Sequence, residues 1–393
     1  MKNVVIVSAV RTPIGTMGGQ FKSITSLDLS IPVMQSLVDS AGIDPTMIDD
    51  VIWGCNYQRT FKENNIARVA FVKAGFPTSV PGITVHRNCT SSMSSVQMGF
   101  YQIKAGEAEC IMAGGVDSMS TAPHMVFNAR YGQKFGHMEL RDSMWDSLTN
   151  LGIGPGMGIT AENVAEKYSI TREEQDKYAL LSQQRACAAM DAGKFKEEIV
   201  PVKIPGRKGE TIYEQDEYPK RDVTLESLAK LKAAFKEGGT VTAGNASGMN
   251  DAASGVILME EEKAKELGVP ILCRILSVAT TGIEPEIMGL GPVKATETAL
   301  AKAGLKLSDL ELIEVNEAFA AQYLGCERAL ELNRDITNVN GGGISLGHPV
   351  GATGTRIIIS LLYEMRRRKN KYGLATLCAG GGMGTAVVIE AVY

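Results

Sequence analysis

The sequence has 393 residues, a length that exceeds the size one hydrophobic core usually reaches. Hydrophobic residues make up 44% and charged residues 21%, a composition that excludes general disorder. Its net charge of −4 and isoelectric point near 5.8 argue against nucleic acid as the main partner, because phosphate backbones select basic surfaces. An anionic ligand would therefore have to be bound by a local group of residues.

The chain opens on a strand-like run, Val4 to Val7, and no basic or long apolar leader precedes it, so we expect a cytoplasmic protein. No apolar stretch approaches the ~20 residues that a membrane-spanning helix needs, so no membrane span is expected. The seven cysteines are scattered and form no Cys-x-x-Cys pair, which predicts reduced thiols. They are Cys55, Cys89, Cys110, Cys187, Cys273, Cys326 and Cys378.

The two ends of the chain resemble each other. Three pairs of segments occur in the same order: strand-like residues 5–9 and 274–278, a helix end, turn and strand at 41–52 and 303–314, and a small-residue run at 110–115 and 377–381. Their spacing suits βαβ units, so the sequence predicts an α/β fold with two duplicated halves. Active sites in such sheets lie beyond the carboxyl ends of strands, and two facing edges would form one shared site.

The segment between the repeats differs in character, being rich in methionine and glycine before a charged helical pattern from Thr171 to Ala192. Thr171 and Glu174 form a capping-box pattern at its start, and we expect this helix to be exposed. We therefore predict an inserted loop subdomain at 118–249. The N-terminal half would comprise 1–117 plus 250–268, and the C-terminal half 269–393.

Cys89 follows strand-like residues 82–85 and precedes a helical stretch rich in small residues. At a helix N-terminus, free N–H groups and the helix dipole stabilise a thiolate and lower the thiol pKa. This position predicts a nucleophile, although a lone cysteine is more often structural.

His348 lies in a glycine-dense segment, residues 340–354, and Pro349 after it suits the first turn of a helix. The segment lacks the spacing of phosphate-binding glycine loops, and no second ligand for a metal lies nearby. His348 is therefore predicted to be a base. Asn316 and Cys378 each follow a strand-like run, at 312–315 and 374–377, so all four groups fall at strand ends or helix starts.

These four segments together resemble the thiolase family: the nucleophile loop around Cys89, the Asn-Glu-Ala-Phe motif at Asn316, the Gly-His-Pro motif at His348 and the Cys-x-Gly motif at Cys378. The resemblance covers essentially the whole chain. It implies that the two halves pack as an α/β/α/β/α layered core with the inserted subdomain beside it.

The resemblance also implies a reaction, the reversible Claisen condensation of two acetyl-CoA to acetoacetyl-CoA and CoA. Cys89 would carry the acyl group, His348 would activate it, and Cys378 would be the base for the α-proton. Asn316 would hold a water that forms one oxyanion hole with His348, and the N–H groups of Cys89 and Gly380 would form the other. This chemistry requires no metal or redox cofactor, since coenzyme A is itself substrate and product.

Coenzyme A is expected to lie on the inserted subdomain. The resemblance implies the following contacts along its path: Ser247, Phe235, Met157, Met288, Ala318 and Phe319, with Lys220 or Arg221 near the phosphates. Phe235 and Met288 could equally be core residues.

Three positions depart from the family pattern: His86 where Asn is frequent, Ser92 where Gly is usual, and Gly156 where short-chain members tend to have His. We expect His86 and Gly156 to lie near the acyl pocket, with more room at Gly156, so a 3-ketoacyl-CoA thiolase of fatty-acid metabolism with longer substrates is the alternative. A ketoacyl synthase would have His in place of Cys378. A non-catalytic acyl-CoA binding protein is a further alternative. Family members are typically homodimers or homotetramers.

Overall fold

A computed structural model describes residues 2–58, 61–206 and 209–393. The predicted domains also include residues 1, 59, 60, 207 and 208, which lie outside the described residues. The described residues form fourteen strands and twelve α-helices. The strands are β1 Val4–Arg11, β2 Gly15–Thr16, β3 Asp50–Gly54, β4 Gly82–Val85, β5 Cys110–Ser118, β6 His124–Val126, β7 Leu140–Asp142, β8 Val202–Gly206, β9 Gly209–Tyr213, β10 Asn250–Glu260, β11 Cys273–Gly282, β12 Leu312–Val315, β13 Tyr372–Ala379 and β14 Met383–Ala391. The helices are α1 Ser26–Ala41, α2 Ile66–Lys73, α3 Ser91–Ala105, α4 Ser143–Thr149, α5 Met157–Lys167, α6 Arg172–Asp191, α7 Leu225–Ala229, α8 Glu261–Leu267, α9 Gly291–Ala303, α10 Ala320–Leu330, α11 Gly343–Leu346 and α12 Thr353–Arg368.

Nine strands form one continuous path in the order β12-β13-β14-β11-β1-β10-β5-β3-β4, and β2 pairs with β10 beside it. Each half contains parallel neighbours joined by helices, β3 with β4 and β5 in one half and β12 with β13 in the other. The halves meet where β1 pairs with β11 over only three residue pairs. The predicted duplicated halves are therefore present, and a short antiparallel seam joins their sheets.

Three hydrophobic clusters show the layers of the fold. One lies between α1, α2 and the N-terminal half of the sheet, and one lies between the C-terminal half and α9 and α10. The third holds α3 and α12 between the two halves, with Val96 on α3 and Ile357, Ile358 and Leu361 on α12 fully buried. A helix buried on most of its faces is typical of the centre of a large domain. The layered α/β fold is thus confirmed.

The strands β1 and β11 carry the same irregularity, which supports the duplication. In β1 the register shifts between Ile6 and Ser8, and in β11 it shifts between Ile275 and Ser277. An extra residue bends a strand and increases its twist, so the same device recurs at the same place in both halves.

The third predicted pair of segments was wrong in register. Gly114 pairs with Gly255 on β10, and the counterpart of that pair in the other half is Thr376 with Ala386. Gly380 therefore lies beyond the strand end and does not correspond to Gly114. The two small-residue runs look alike in sequence, but the pairing of the strands shows that they do not occupy equivalent positions. An alignment of the halves on residue size alone was therefore out of register.

The region between the halves contains two hairpins, β6–β7 and β8–β9, and the helices α4 to α7. The capping box at Thr171 and Glu174 is confirmed, since each residue's side chain accepts from the other's backbone N–H. The expected exposure of α6 was wrong on one face, where Tyr178 and Ser182 are buried. Within the described part of the chain, no helix is both long and apolar enough to cross a bilayer.

A buried ion pair anchors this region to the sheet. Arg11, at the end of β1, donates to Glu198 at 2.7 Å and to both carboxylate oxygens of Asp216 at 2.7 and 2.9 Å, and all three side chains are buried. Because both acids lie in the intervening region, loss of either would leave a buried charge without its partner.

Candidate active site

Cys89 lies in the turn between β4 and α3. Asn88 before it adopts a left-handed backbone conformation with φ of 47°, which turns the chain sharply and suits asparagine. The Asn88 amide donates to the Gly380 carbonyl at 2.7 Å, and the backbone N–H groups of Gly380 and of Cys89 itself act to lower the pKa of the Cys89 sulfur. The nucleophile loop of one half is therefore bound directly to the loop after Cys378 in the other.

The pKa of Cys89 is raised to about 11, and burial is the main cause. The two backbone N–H groups act in the opposite direction, as expected of donors to a thiolate, but they do not outweigh the loss of water. The expected lowering of this pKa by the helix N-terminus was therefore wrong. In the free protein Cys89 is a neutral thiol that needs a base before it can attack.

His348 lies between α11 and α12, where its backbone N–H donates to the Asn250 side chain at 3.0 Å. Its Nδ1 is 2.7 Å from the Thr353 hydroxyl, which donates its hydrogen to the Pro349 carbonyl at 2.9 Å. With that hydrogen committed, Nδ1–H is the donor to Thr353, and Nε2 keeps its lone pair. This is the tautomer that a general base requires.

Pro349 was expected in the first turn of a helix, but α12 begins four residues later, at Thr353. Pro349 instead lies in the preceding turn, where its carbonyl accepts from the N–H groups of Ala352 and Thr353. The glycines on either side allow this extra turn, since Gly347 has φ of 102°.

Burial lowers the pKa of His348 to about 3, and the charge of Arg356 acts in the same direction. His348 is therefore neutral near pH 7. Its Nε2 is buried without a hydrogen-bond partner among the described residues, as are both polar side-chain atoms of Asn316, which directly follows β12. These unpaired groups are available to polarise a substrate oxygen.

Cys378 lies at the end of β13 and is fully buried. Burial raises its pKa well above the ordinary thiol value, and the Cys89 charge raises it further, as it would for two neighbouring thiols. Cys378 is thus a neutral thiol at rest whose thiolate would be strongly basic. In residues 2–58, 61–206 and 209–393, no group of three His, Cys, Asp or Glu side chains is arranged to hold a metal ion.

A cavity of about 270 Å³ opens at Cys89 and Gly380. Its walls are partly apolar and partly polar; they include Pro123, Met125, Leu148, Leu151, Met157 and Val350, and also Asn56, Tyr57, Gln58, His86, Asn88, Ser143 and Ser147. A thioester that enters this cavity would reach the Cys89 sulfur, and its acyl chain would contact the apolar wall.

The residues expected along the coenzyme A path fall into two groups. Ser247 donates its N–H to the Ala318 carbonyl at 2.9 Å, and Phe235 packs edge-on against Phe319 with ring centroids 6.1 Å apart. These four residues therefore form one contiguous group, in which Phe235 is 45% exposed whereas Ala318 and Phe319 are buried. Met157 lines the cavity, whereas Met288 is only 2% exposed and packs in the core, as its alternative interpretation expects.

Of the two basic candidates, Lys220 lies close to this group of residues. Its ammonium is 5.3 Å from the centre of the Tyr218 ring, and Tyr218 packs against Gly248. Arg221 instead pairs with Asp191 at 2.8 Å and lines a separate depression near Phe195. Neither basic side chain lines the cavity at Cys89, and a place for Lys220 or Arg221 near the phosphates of coenzyme A stays a prediction.

The departures from the family pattern have different surroundings. His86 lines the cavity, as expected. A side chain at Gly156 would contact the backbone of Leu148 and Thr149 within about 3.3 Å, so α4 fills the room that was expected there. Ser92 accepts from the Thr355 N–H at 3.0 Å and thereby links α3 to α12.

The sequence analysis missed Asp117, which supports the site without touching its sulfurs. Its buried carboxylate accepts from the N–H groups of Asn56, Tyr57 and Gly351, at 2.9, 3.0 and 2.6 Å. It thus joins the cavity wall to the loop that carries His348. A charged residue ending an otherwise uncharged strand, Cys110–Ser118, was the signal available in the sequence.

Comparisons with known proteins find similarity to thiolases over essentially the full length of the chain. The family models "Thiolase, N-terminal domain" and "Thiolase, C-terminal domain" match residues 4–262 and 269–391. The acetyl-CoA acetyltransferases of Syntrophomonas wolfei and Escherichia coli are each 48% identical, with 100% and 99% of both chains covered.

Solved structures give the same result. A Bacillus anthracis acetyl-CoA acetyltransferase superposes with a TM-score of 0.98 at 48% identity, covering 100% of this chain and 99% of that one. A human mitochondrial 3-ketoacyl-CoA thiolase in complex with CoA has a TM-score of 0.96 at 44% identity, covering 100% and 98%.

The raised pKa of Cys89 predicts how its alkylation depends on pH. Below that pKa the thiolate fraction rises about tenfold per pH unit, so the rate of iodoacetamide labelling should rise by that factor per unit between pH 7 and 9. Mass spectrometry of the Cys89 peptide measures this rate, with the partly buried Cys187 as an accessibility reference. A labelling rate that is already constant at pH 7 would instead indicate a resting thiolate.

Proposed function

This chain belongs to the thiolase family and is an acyltransferase, and from that premise we propose that it is an acetyl-CoA C-acetyltransferase. The observation that carries the proposal is the direct bonding of the Cys89 loop to Gly380, two residues after Cys378, at one cavity. Two thiols and a neutral imidazole are the groups that acyl transfer followed by carbon–carbon bond formation requires.

In the first half-reaction, Nε2 of His348 accepts the Cys89 proton while the sulfur attacks the thioester carbonyl of acetyl-CoA. The oxyanion accepts hydrogen bonds from the N–H groups of Cys89 and Gly380, the same groups that act to lower the pKa of the resting sulfur. The carbon–sulfur bond to CoA then breaks, and the departing CoA thiolate takes the proton of Cys378. This leaves acetyl-Cys89, protonated His348 and the Cys378 thiolate.

In the second half-reaction, the Cys378 thiolate removes the α-proton of a second acetyl-CoA. Its raised pKa favours this step, because a more basic thiolate is a better match for a weakly acidic carbon. The enolate oxygen is stabilised by His348 and by Asn316, through the water proposed between them, while the enolate carbon attacks acetyl-Cys89. The Cys89 sulfur leaves and recovers its proton from His348, which restores the starting state.

Every proton in this cycle moves between named side chains and the substrate, and the reaction is redox-neutral overall, because the reduction at the acyl carbon is balanced by the oxidation at the α-carbon that attacks it. We therefore propose that the reaction uses no metal or redox cofactor, with coenzyme A as substrate and product. A cytoplasmic location fits the seven free cysteines, since two of them must stay reduced to act.

Longer substrates are the second candidate, because the cavity presents Met125, Leu148, Leu151 and Met157 to an acyl chain. On this alternative the protein is a 3-ketoacyl-CoA thiolase of fatty-acid metabolism. In either case Phe235 and Phe319 are proposed to contact coenzyme A, with Ser247 and Ala318 beside them and Lys220 or Arg221 near its phosphates.

We expect Cys89 to form a thioester when the protein is mixed with acetyl-CoA alone. Cys89→Ser should form no adduct, whereas Cys378→Ser should still form it while losing condensation activity by about 10³-fold, because it lacks the base for the α-proton. Intact-mass and peptide mass spectrometry, beside a condensation assay, measure both. Absence of any adduct on the unsubstituted protein would favour a binding protein.

Thiolysis of 3-oxoacyl-CoAs of increasing length tests the substrate. On the acetyltransferase proposal, kcat/KM should be greatest for acetoacetyl-CoA and fall at least about tenfold for six-carbon and longer chains, since each misplaced methylene costs transition-state binding. Equal or rising kcat/KM along the series would support the 3-ketoacyl-CoA thiolase instead.

We also propose that the protein is a homotetramer, with a homodimer as the alternative; assembly is supported by the exposed apolar side chains on residues 125–145. Phe135 is 94% exposed and Trp145 66%, and Phe127, Tyr131 and Leu140 are exposed beside them. Exposed apolar groups this close together are typical of a surface that another chain covers.

Light scattering should give a tetramer for the native protein and a smaller species for the double substitution Phe135→Asp, Leu140→Asp. The charge would oppose burial at the interface without disturbing the core. Ile212→Asp, at an exposed apolar position on β9, is the matched control and should remain tetrameric. A native protein that is monomeric would contradict the proposal.

A further inference from the structure

His348 is held by other side chains at two of its atoms. The Asn250 side chain accepts from its backbone N–H at 3.0 Å and in turn donates to the Gly15 carbonyl at 3.0 Å. The ring is held at a second point, because Nδ1 lies 2.7 Å from the hydroxyl of Thr353. Asn250 and Thr353 are fully buried, and His348 is nearly so. Among the described residues, this hydroxyl is the one hydrogen-bond partner of the ring.

The surroundings of the Thr353 hydroxyl decide which ring nitrogen carries the hydrogen. The hydroxyl donates to the Pro349 carbonyl at 2.9 Å, and that carbonyl also accepts from the backbone N–H groups of Ala352 and Thr353, which fixes the turn. The hydroxyl therefore presents a lone pair to Nδ1–H. The opposite tautomer would release the hydroxyl from Pro349. It would also place a hydrogen on Nε2, which is buried with no acceptor among the described residues.

Resting on the acyl transfer proposed above, we propose that Thr353 is a positioning residue: it keeps one hydrogen on Nδ1 of His348 throughout the reaction, so that Nε2 is the nitrogen that exchanges a proton with Cys89. Thr353 does not touch the substrate. It acts through the ring that does.

This role serves both half-reactions. When Nε2 takes the Cys89 proton, the ring becomes a cation, which burial disfavours because it lowers the pKa of His348 to about 3. A hydroxyl oxygen 2.7 Å from Nδ1 stabilises that cation where water is absent, and it neither gives nor takes a proton. In the second half-reaction, Nε2–H donates toward the enolate oxygen and then returns its proton to the Cys89 sulfur. The ring thus has one mobile proton in each step.

Thr353→Val replaces the hydroxyl with a methyl group of similar size. It should slow the acetylation of Cys89 by acetyl-CoA at least about tenfold, because Nδ1–H then has no acceptor and the base tautomer loses its preference. The half-saturating concentration of acetyl-CoA should change less than about threefold. Thr353→Ser keeps the hydroxyl, and its rate should stay within about threefold of native. Quenched-flow mass spectrometry of a single turnover measures these rates.

Thr355→Val on the same helix is the matched control. Its hydroxyl is also buried and contacts the Ala352 and Ser254 carbonyls at 3.3 Å, but it makes no contact with His348. This variant should lose a similar free energy of unfolding and keep the native acetylation rate. The positioning role is overturned if Thr355→Val is as slow as Thr353→Val, or if Thr353→Ser is as slow as Thr353→Val. Should Thr353→Val fail to fold, Thr353→Ala compared with Thr353→Ser decides in the same way.

Nitrogen-15 NMR of histidine-labelled protein identifies the tautomer without turnover. Of the four histidines, His86, His124 and His137 are exposed, and the signal missing from His348→Gln assigns the buried ring. The hydrogen should be on Nδ1 in the native protein and in Thr353→Ser, and on both nitrogens in part in Thr353→Val. A native ring with its hydrogen on Nε2, or an unchanged tautomer in Thr353→Val, would overturn the proposal. If the native protein forms no acetyl-enzyme, the function proposal fails, whereas this comparison still decides the role of Thr353.

Discussion

Removal of water from the meeting point of the two halves is the constraint on which the rest of the site depends. It raises the pKa values of Cys89 and Cys378 and lowers that of His348, so all three groups are uncharged near neutral pH. Charge appears only when a proton moves between them. A site of this kind is stable without substrate, because no buried charge has to be maintained among the reacting groups. Once substrate is bound, each proton transfer is between partners already in place.

The duplication supplies this buried meeting point. Each half contributes one central helix, α3 or α12, and the nucleophile loop and the Gly380 loop meet at the carboxyl ends of strands from different halves. Neither half alone would bury the site, since α3 would lose its contact with α12. Asp117 makes the same connection by hydrogen bonds, from the end of β5 to Gly351 in the other half. The site is thus a property of the interface between the halves, which accounts for the wide separation of its residues along the chain.

Much of this arrangement follows from the sequence. Strand ends followed by Cys89, Asn316 and Cys378 predict a common edge, and the repeated helix–turn–strand segments predict two halves. The sequence could not show which of two opposing effects on the pKa of a single group is the larger. The helix N-terminus at Cys89 predicts a low thiol pKa, and only the depth of burial reveals that desolvation outweighs it. Likewise, Pro349 suits a helix start, and only the path of the glycine-rich chain shows that an extra turn precedes α12.

Glu317, beside Asn316, shows how a charged residue can serve the site without taking part in the chemistry. Its carboxylate accepts from the hydroxyls of Tyr178 and Ser182 on α6, from the Asn338 amide and from the Ile344 N–H. With these four donors, the carboxylate has both of its oxygens committed. It has no lone pair left to act as a base for substrate. Its contacts instead fix three segments against the end of β12: the helix of the intervening region, the strand-end loop at Asn338 and the glycine-rich segment that leads to His348. Asn316, the residue before it, has both polar side-chain atoms without a partner among the described residues. One of these two adjacent residues therefore holds the surrounding segments together, while the other has a polar group free to meet the reacting oxygen.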